Sequence, residues 1–133
     1  MKKKIVSLTG VAVLLLLATA LQSAKPDDVM TKEDGMTVIN TTTLGKNVTG
    51  YVGTTPLKIY IKKNKVVKIE ALKNEETPKY FVKVKKQLLD KWNDKKVNDA
   101  LKMQVDGVTG ATFSSDAVKE NVRLGLEYYK KNK

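Results

Sequence analysis

Leu57-Lys58-Ile59-Tyr60-Ile61-Lys62-Lys63-Asn64-Lys65-Val66-Val67-Lys68-Ile69-Glu70-Ala71-Leu72 is the stretch whose pattern sets the fold class. Leu57, Ile59 and Ile61 alternate with Lys58, Tyr60 and Lys62, and Val67, Ile69 and Ala71 then alternate with Lys68, Glu70 and Leu72. A period of two is the signature of a half-buried strand, because successive side chains point to opposite faces of a sheet. The polar Lys63-Asn64-Lys65 between the runs marks a turn, so a β-hairpin with one apolar and one charged face is expected here. A face of that kind is covered by helices in α+β domains.

Helices are indeed predicted on the C-terminal side. In Asn74-Glu75-Glu76-Thr77-Pro78, Thr77 suits an N-cap and Pro78 the first helical position. Phe81, Val84, Leu88 and Trp92 follow at steps of three, four and four, with Tyr80 and Leu89 widening the stripe; this predicts a helix of about four turns whose apolar residues are core. Lys95 to Val105 reads as a short helix turning into an extended segment, with no chemistry of its own. A second long helix follows, because Val118, Val122, Gly125, Leu126 and Tyr129 share one face. Ser114 or Ser115 is its expected N-cap, and Lys130, Lys131 and Lys133 sit where cations suit the dipole. On the N-terminal side, Met36–Thr43 and Val48–Val52 are expected strands, and the polar Lys25–Gly35 reads as a linker. The expected fold is α+β, a small antiparallel sheet packed against two principal helices.

Composition narrows the function. A chain of 133 residues is expected to form one domain. Met1-Lys2-Lys3-Lys4 and the apolar run Ile5–Leu21 have the charged and hydrophobic regions of an export signal, with cleavage after Ala20 or Ala24; uncleaved, the run is an anchor at the short limit for a bilayer. The expected location is extracytoplasmic, in a periplasm or at a cell surface. Cysteine and histidine are absent, which excludes disulfides, iron–sulfur clusters, thiolate nucleophiles, histidine-ligated haem and histidine acid–base pairs. Redox chemistry in such a chain needs an organic cofactor. The net charge of +11 becomes +8 if Lys2, Lys3 and Lys4 leave with Met1–Ala24. Export and the scatter of the lysines argue against nucleic acid as the partner, and for a solvated basic surface that meets anionic membranes or acidic partners.

The candidate site is Asp106-Gly107-Val108-Thr109-Gly110-Ala111-Thr112-Phe113-Ser114-Ser115, immediately ahead of the last helix. Glycines allow close backbone approach, and a helix N-terminus offers unpaired N–H groups and partial positive charge, so the stretch suits a phosphate. Asp106-Gly107-Val108-Thr109-Gly110-Ala111-Thr112 resembles the flavinylation motif of the FMN-binding domain family, found in sodium-pumping NADH:quinone reductases, Rnf complexes and exported electron carriers. The resemblance implies FMN held through a phosphoester on Thr112, installed from FAD by a magnesium-dependent FAD:protein FMN transferase. No strong base stands in the motif to activate a threonine hydroxyl, which agrees with an outside enzyme.

Two further segments are similar to the family. Glu76-Thr77-Pro78 resembles an element that lies near the isoalloxazine ring, and Gly50-Tyr51 through Gly53-Thr54-Thr55-Pro56 resembles a glycine-bearing segment leading into the hairpin. Lys79-Tyr80 stands where many relatives have a glycine. The resemblance runs from about Val38 to Tyr129, and the expected organisation is an export segment or anchor over 1–24, a linker over 25–35 and the FMN-binding domain over 36–133. Its cofactor residues would be Thr112, Asp106, Thr109, Gly110, Ala111, Ser114, Ser115, Glu76, Thr77, Pro78 and Gly53, with no catalytic residue and no metal. The implied role is electron transfer from a membrane donor to an acceptor that the sequence does not name. Alternatives are non-covalent FMN binding, a cofactor-free basic surface module, and a flavin-dependent reductase acting on a small substrate.

Overall fold

The computed structural model describes residues 26–133; the apolar run Ile5–Leu21 and both cleavage positions lie outside the described residues. Four strands, β1 (Met30–Glu33), β2 (Met36–Asn40), β3 (Leu57–Lys62) and β4 (Lys65–Ala71), form an antiparallel meander in the order β1-β2-β3-β4. Three helices follow: α1 (Pro78–Gln87), α2 (Val97–Lys102) and α3 (Thr112–Asn132). Ile39, Leu57, Ile59, Ile61, Val66 and Ile69 of the sheet share one core with Phe81, Val84, Leu88, Val118, Val122 and Leu126 of the helical layer. The architecture is the expected α+β one. Among the described residues no helix is long and apolar enough to cross a membrane.

The hairpin is where its alternation placed it, with one change of parity. Ile61 pairs with Val66 while Tyr60 pairs with Lys68, so Val67 is left over as a bulge. An extra residue moves the side chains beyond it to the opposite face. Val66 is therefore fully buried and Val67 is 37% exposed, the reverse of the expected apolar face. The turn itself is Lys63-Asn64, with φ of 53° and 64° as a two-residue hairpin turn requires. Asn64 is fixed from the helical layer: its carbonyl accepts from the Val97 N–H at 2.8 Å, and its side-chain oxygen accepts from the Tyr129 hydroxyl at 2.6 Å.

Three other expectations need correction. Residues 25–35 are not a linker throughout, and the fold does not begin at Met36: Met30–Glu33 pairs with Met36–Ile39 as the edge strand β1. Asp34 and Gly35, at φ of 50° and 80°, make the tight turn between them. An edge strand exposed along most of its length has no apolar face to show in its sequence, so polarity concealed it. Val48–Val52 is not a strand but part of a loop with a single bridge, Thr49 to Thr54, and a turn closed by the Gly50 N–H donating to the Gly53 carbonyl at 2.7 Å. The helix expected from Pro78 to Trp92 ends at Gln87, and Leu89–Trp92 continues as a 3-10 turn. In that tighter winding residues three apart eclipse, which brings Leu89 and Trp92 inward together beside Leu88.

Candidate functional site

The site forms where three separate segments meet at the N-terminal end of α3. The loop Gly50–Gly53 supplies one wall, the start of α1 a second, and the turn leading into α3 the third. Val108-Thr109-Gly110-Ala111 is a four-residue turn closed by the Ala111 N–H donating to the Val108 carbonyl at 2.9 Å. Its third residue, Gly110, has φ of +84°, a region that glycine enters without the strain a Cβ brings. The Ser115 hydroxyl accepts from the Val108 N–H at 2.9 Å, which fastens the turn onto the first turn of the helix.

Glu76 joins the three walls. Its carboxylate accepts from the N–H groups of Tyr51, Val52 and Gly53 at 2.9, 2.6 and 2.8 Å, and from the Ser114 hydroxyl. Burial would raise its pKa, but the Ser114 hydroxyl and the three amides outweigh burial and hold the carboxyl below its ordinary 4.5. Asn74 shapes the approach, its side-chain oxygen accepting from the Glu76 N–H at 2.9 Å. Gly50 is confined by the same contact: a Cβ there would stand 2.5 Å from a Glu76 oxygen and 3.2 Å from the Ser114 Cα.

These walls enclose an open groove of about 530 Å³, lined by Tyr51, Thr77, Tyr80, Phe113 and the Gly110–Thr112 backbone corner. That lies within the roughly 300–1,000 Å³ usual for cofactor sites. Tyr51 and Phe113 are 72% and 65% exposed and stack on each other, ring centroids 6.2 Å apart at 25°. Exposed stacked aromatics give a planar apolar group a surface to lie against. Thr112 is the first residue of α3 and is exposed at the groove. The first-turn amides of Thr112, Phe113 and Ser114 have no carbonyl a turn earlier to bond within the helix, so this corner attracts an anion.

The expected site residues divide by role. Gly110, Ala111, Thr112, Ser114 and Thr77 line the groove. Glu76, Gly53 and Ser115 hold its walls from behind through the bonds described above. Pro78 opens α1, and Asp106 and Thr109 are exposed on the segment entering the turn. Neither Ser114 nor Ser115 caps α3: Ala111 stands at the cap, and both hydroxyls are engaged elsewhere. Thr77 stands at the cap of α1 but its side chain makes no capping bond. Phe113 stood in the candidate stretch and Tyr51 in the Gly50–Pro56 segment, but neither they nor Tyr80 were among the expected cofactor residues. The signal for Tyr51 was an aromatic next to a glycine and that for Phe113 an aromatic directly after Thr112; Tyr80 had none beyond its place beside the helical stripe.

The sequence model of the FMN-binding domain family matches residues 50–127, more than half of the chain. The match opens at the Gly50 loop and closes near the end of α3, so it takes in every wall of the groove. No curated protein and no solved structure matches the chain significantly.

Proposed function

The chain belongs to the FMN-binding domain family, and from that premise we propose that it carries FMN as a phosphoester on Thr112 and transfers electrons, outside the cytoplasm, between a membrane donor and a further acceptor. The supporting observation is the position of Thr112, exposed at the first residue of a 21-residue helix and at the edge of an aromatic groove. Flavin, when bound, supplies the redox chemistry that a chain lacking cysteine and histidine does not have. The chain's own residues do the rest. First-turn amides and the α3 dipole face the phosphate charge. Tyr51, Tyr80 and Phe113 offer ring surfaces to the planar group, and Glu76 keeps the Gly50–Gly53 wall in register with α3.

Attachment forms a bond from the Thr112 Oγ1 to the phosphorus of the FMN half of FAD. The pyrophosphate bond breaks, AMP leaves with its electron pair, and the hydroxyl proton passes to a base on the transferase. Glu76, the carboxylate that holds the groove walls, is saturated by four donors, which supports a base supplied from outside. Export is supported by the basic start and apolar run of the sequence. A covalent tether suits that location, where free FMN would be dilute.

The test is the mass of the peptide spanning Val105 to Lys119, from protein produced beside an active flavin transferase. A gain of FMN less one water, lost in Thr112→Ala, is expected. Since Thr112 is exposed, Thr112→Ala should change the stability of the unloaded protein by under about 0.5 kcal/mol. A bare peptide from yellow protein would mean non-covalent binding, and a bare peptide from colourless protein would end the proposal.

A further inference from the structure

Among the described residues four cations stand in ion pairs: Lys58 with Glu33, Lys68 with Glu70, Lys119 with Asp116, and Arg123 with Glu120 and Glu127. At the C-terminal end of α3, lysines from the hairpin turn, from the start of α2 and from α3 itself converge on one cleft. Lys63, Lys96, Lys130 and Lys133 rim a cleft of about 470 Å³ whose one acid is Asp99. Among the described residues none of these lysines forms an ion pair. Lys62 stands directly opposite Lys65 in the β3–β4 ladder, and Lys65 is in turn bridged to Lys96. Like charges placed across from each other destabilise a sheet pair. The dipole of α3 accounts for Lys130, Lys131 and Lys133, but not for cations brought to the same end by the hairpin and by α2.

We propose that this end of the molecule docks on the anionic headgroups of a phospholipid bilayer. Protein interfaces are enriched in arginine and aromatic residues and depleted in lysine, whereas this cleft is rimmed by lysines with no arginine among its lining residues. Compact ammonium groups on flexible stems suit a fluid layer of phosphates that has no fixed geometry to match. The exposed aromatics Tyr51, Tyr80 and Phe113 lie at the other end of α3, a helix about 30 Å long, so contact is electrostatic and superficial. Docked this way, the aromatic groove faces away from the bilayer and stays open to a soluble partner. The inference does not depend on flavin being present.

The test is co-sedimentation of the full chain with phosphatidylglycerol vesicles and with phosphatidylcholine vesicles. The variant Lys63→Gln/Lys96→Gln/Lys130→Gln/Lys133→Gln is compared with a matched Lys73→Gln/Lys83→Gln/Lys85→Gln/Lys86→Gln variant. Both retain Ile5–Leu21 and Lys2–Lys4, whose contribution cancels between them. Each cleft lysine is worth about fivefold in partition at low salt, so the first variant should lose at least about tenfold on phosphatidylglycerol, and the matched variant less than about threefold. Binding should weaken steeply as salt is raised. Amine acylation on the vesicles should protect Lys63, Lys96, Lys130 and Lys133 and leave Lys83 and Lys86 reactive. Equal losses in the two variants, protection spread evenly over the surface, or a larger loss of binding to a duplex DNA probe than to vesicles would each overturn the proposal.

Discussion

A carboxylate taken out of water tends to keep its proton, yet Glu76, only 4% exposed, is held below its ordinary value by the four donors around it. A depressed pKa means stability that is fully present above 4.5 and lost as pH falls through the lower value of the folded state. Urea unfolding from pH 6 down to pH 3 should therefore show a decline, and Glu76→Gln should flatten part of it. The slope that survives belongs to Glu70 and Glu120, lowered by their hydrogen bonds to Lys68 and Arg123. At pH 7 the same variant should cost about 1–3 kcal/mol, since three part-buried amides and the Ser114 hydroxyl would face a weaker, uncharged acceptor. A variant as stable as the parent at pH 7, with the same acid slope, would show that the carboxylate is not what holds the loop. The resemblance of Glu76-Thr77-Pro78 to the family's element placed Glu76 in the candidate site, but it gave no means of telling a wall support from a group that touches the cofactor. That distinction lies in contacts reaching from residue 51 to residue 114, which no local pattern encodes.

Elements were readable wherever burial is periodic. The 118–129 stripe corresponds to α3 because one face is inside and the other is wet. The alternation in 57–62 corresponds to β3, whose Leu57, Ile59 and Ile61 are buried while Lys58 and Lys62 on the other face are not, Tyr60 alone being covered there. Periodicity failed where that asymmetry is absent or interrupted. Strand β1 lies exposed at an edge, the bulge at Val67 resets the parity of β4, and Leu88, Leu89 and Trp92 are all buried around a change of helical pitch. Caps were misread for another reason: a serine near a helix start has competing partners, and here Glu76 and the Val108 amide win both hydroxyls. The turn before α3 is the element most open to test. Nothing lies within 4 Å of a Cβ at Gly110, so Gly110→Ala meets no clash and should cost about 1 kcal/mol from its positive φ alone. Gly110→Asn should cost less, since asparagine tolerates that region. Equal urea midpoints for both variants and the parent would remove the turn from the argument.

For the molecule as a whole, the boundary of the folded unit is the practical matter. A polar N-terminal stretch invites truncation at Met36, but β1 covers the outer edge of β2, and Val29 ahead of it is buried in the core. A chain beginning at Met36 should have a lower urea midpoint than one beginning at Pro26, with an unpaired edge prone to association. Identical midpoints would return residues 26–35 to the status of a linker. The carboxylate at position 76 also bears on the order of events in the life of this protein. Residues 51–53 and 114 come into its reach only after the chain has collapsed around the sheet, so the groove has no precursor in any fragment. A short synthetic peptide with the 106–112 sequence shows the same hydroxyl but none of its surroundings, and should be a poor acceptor for nucleotide transfer. If Thr112 is the acceptor as proposed, attachment should follow folding and not precede it.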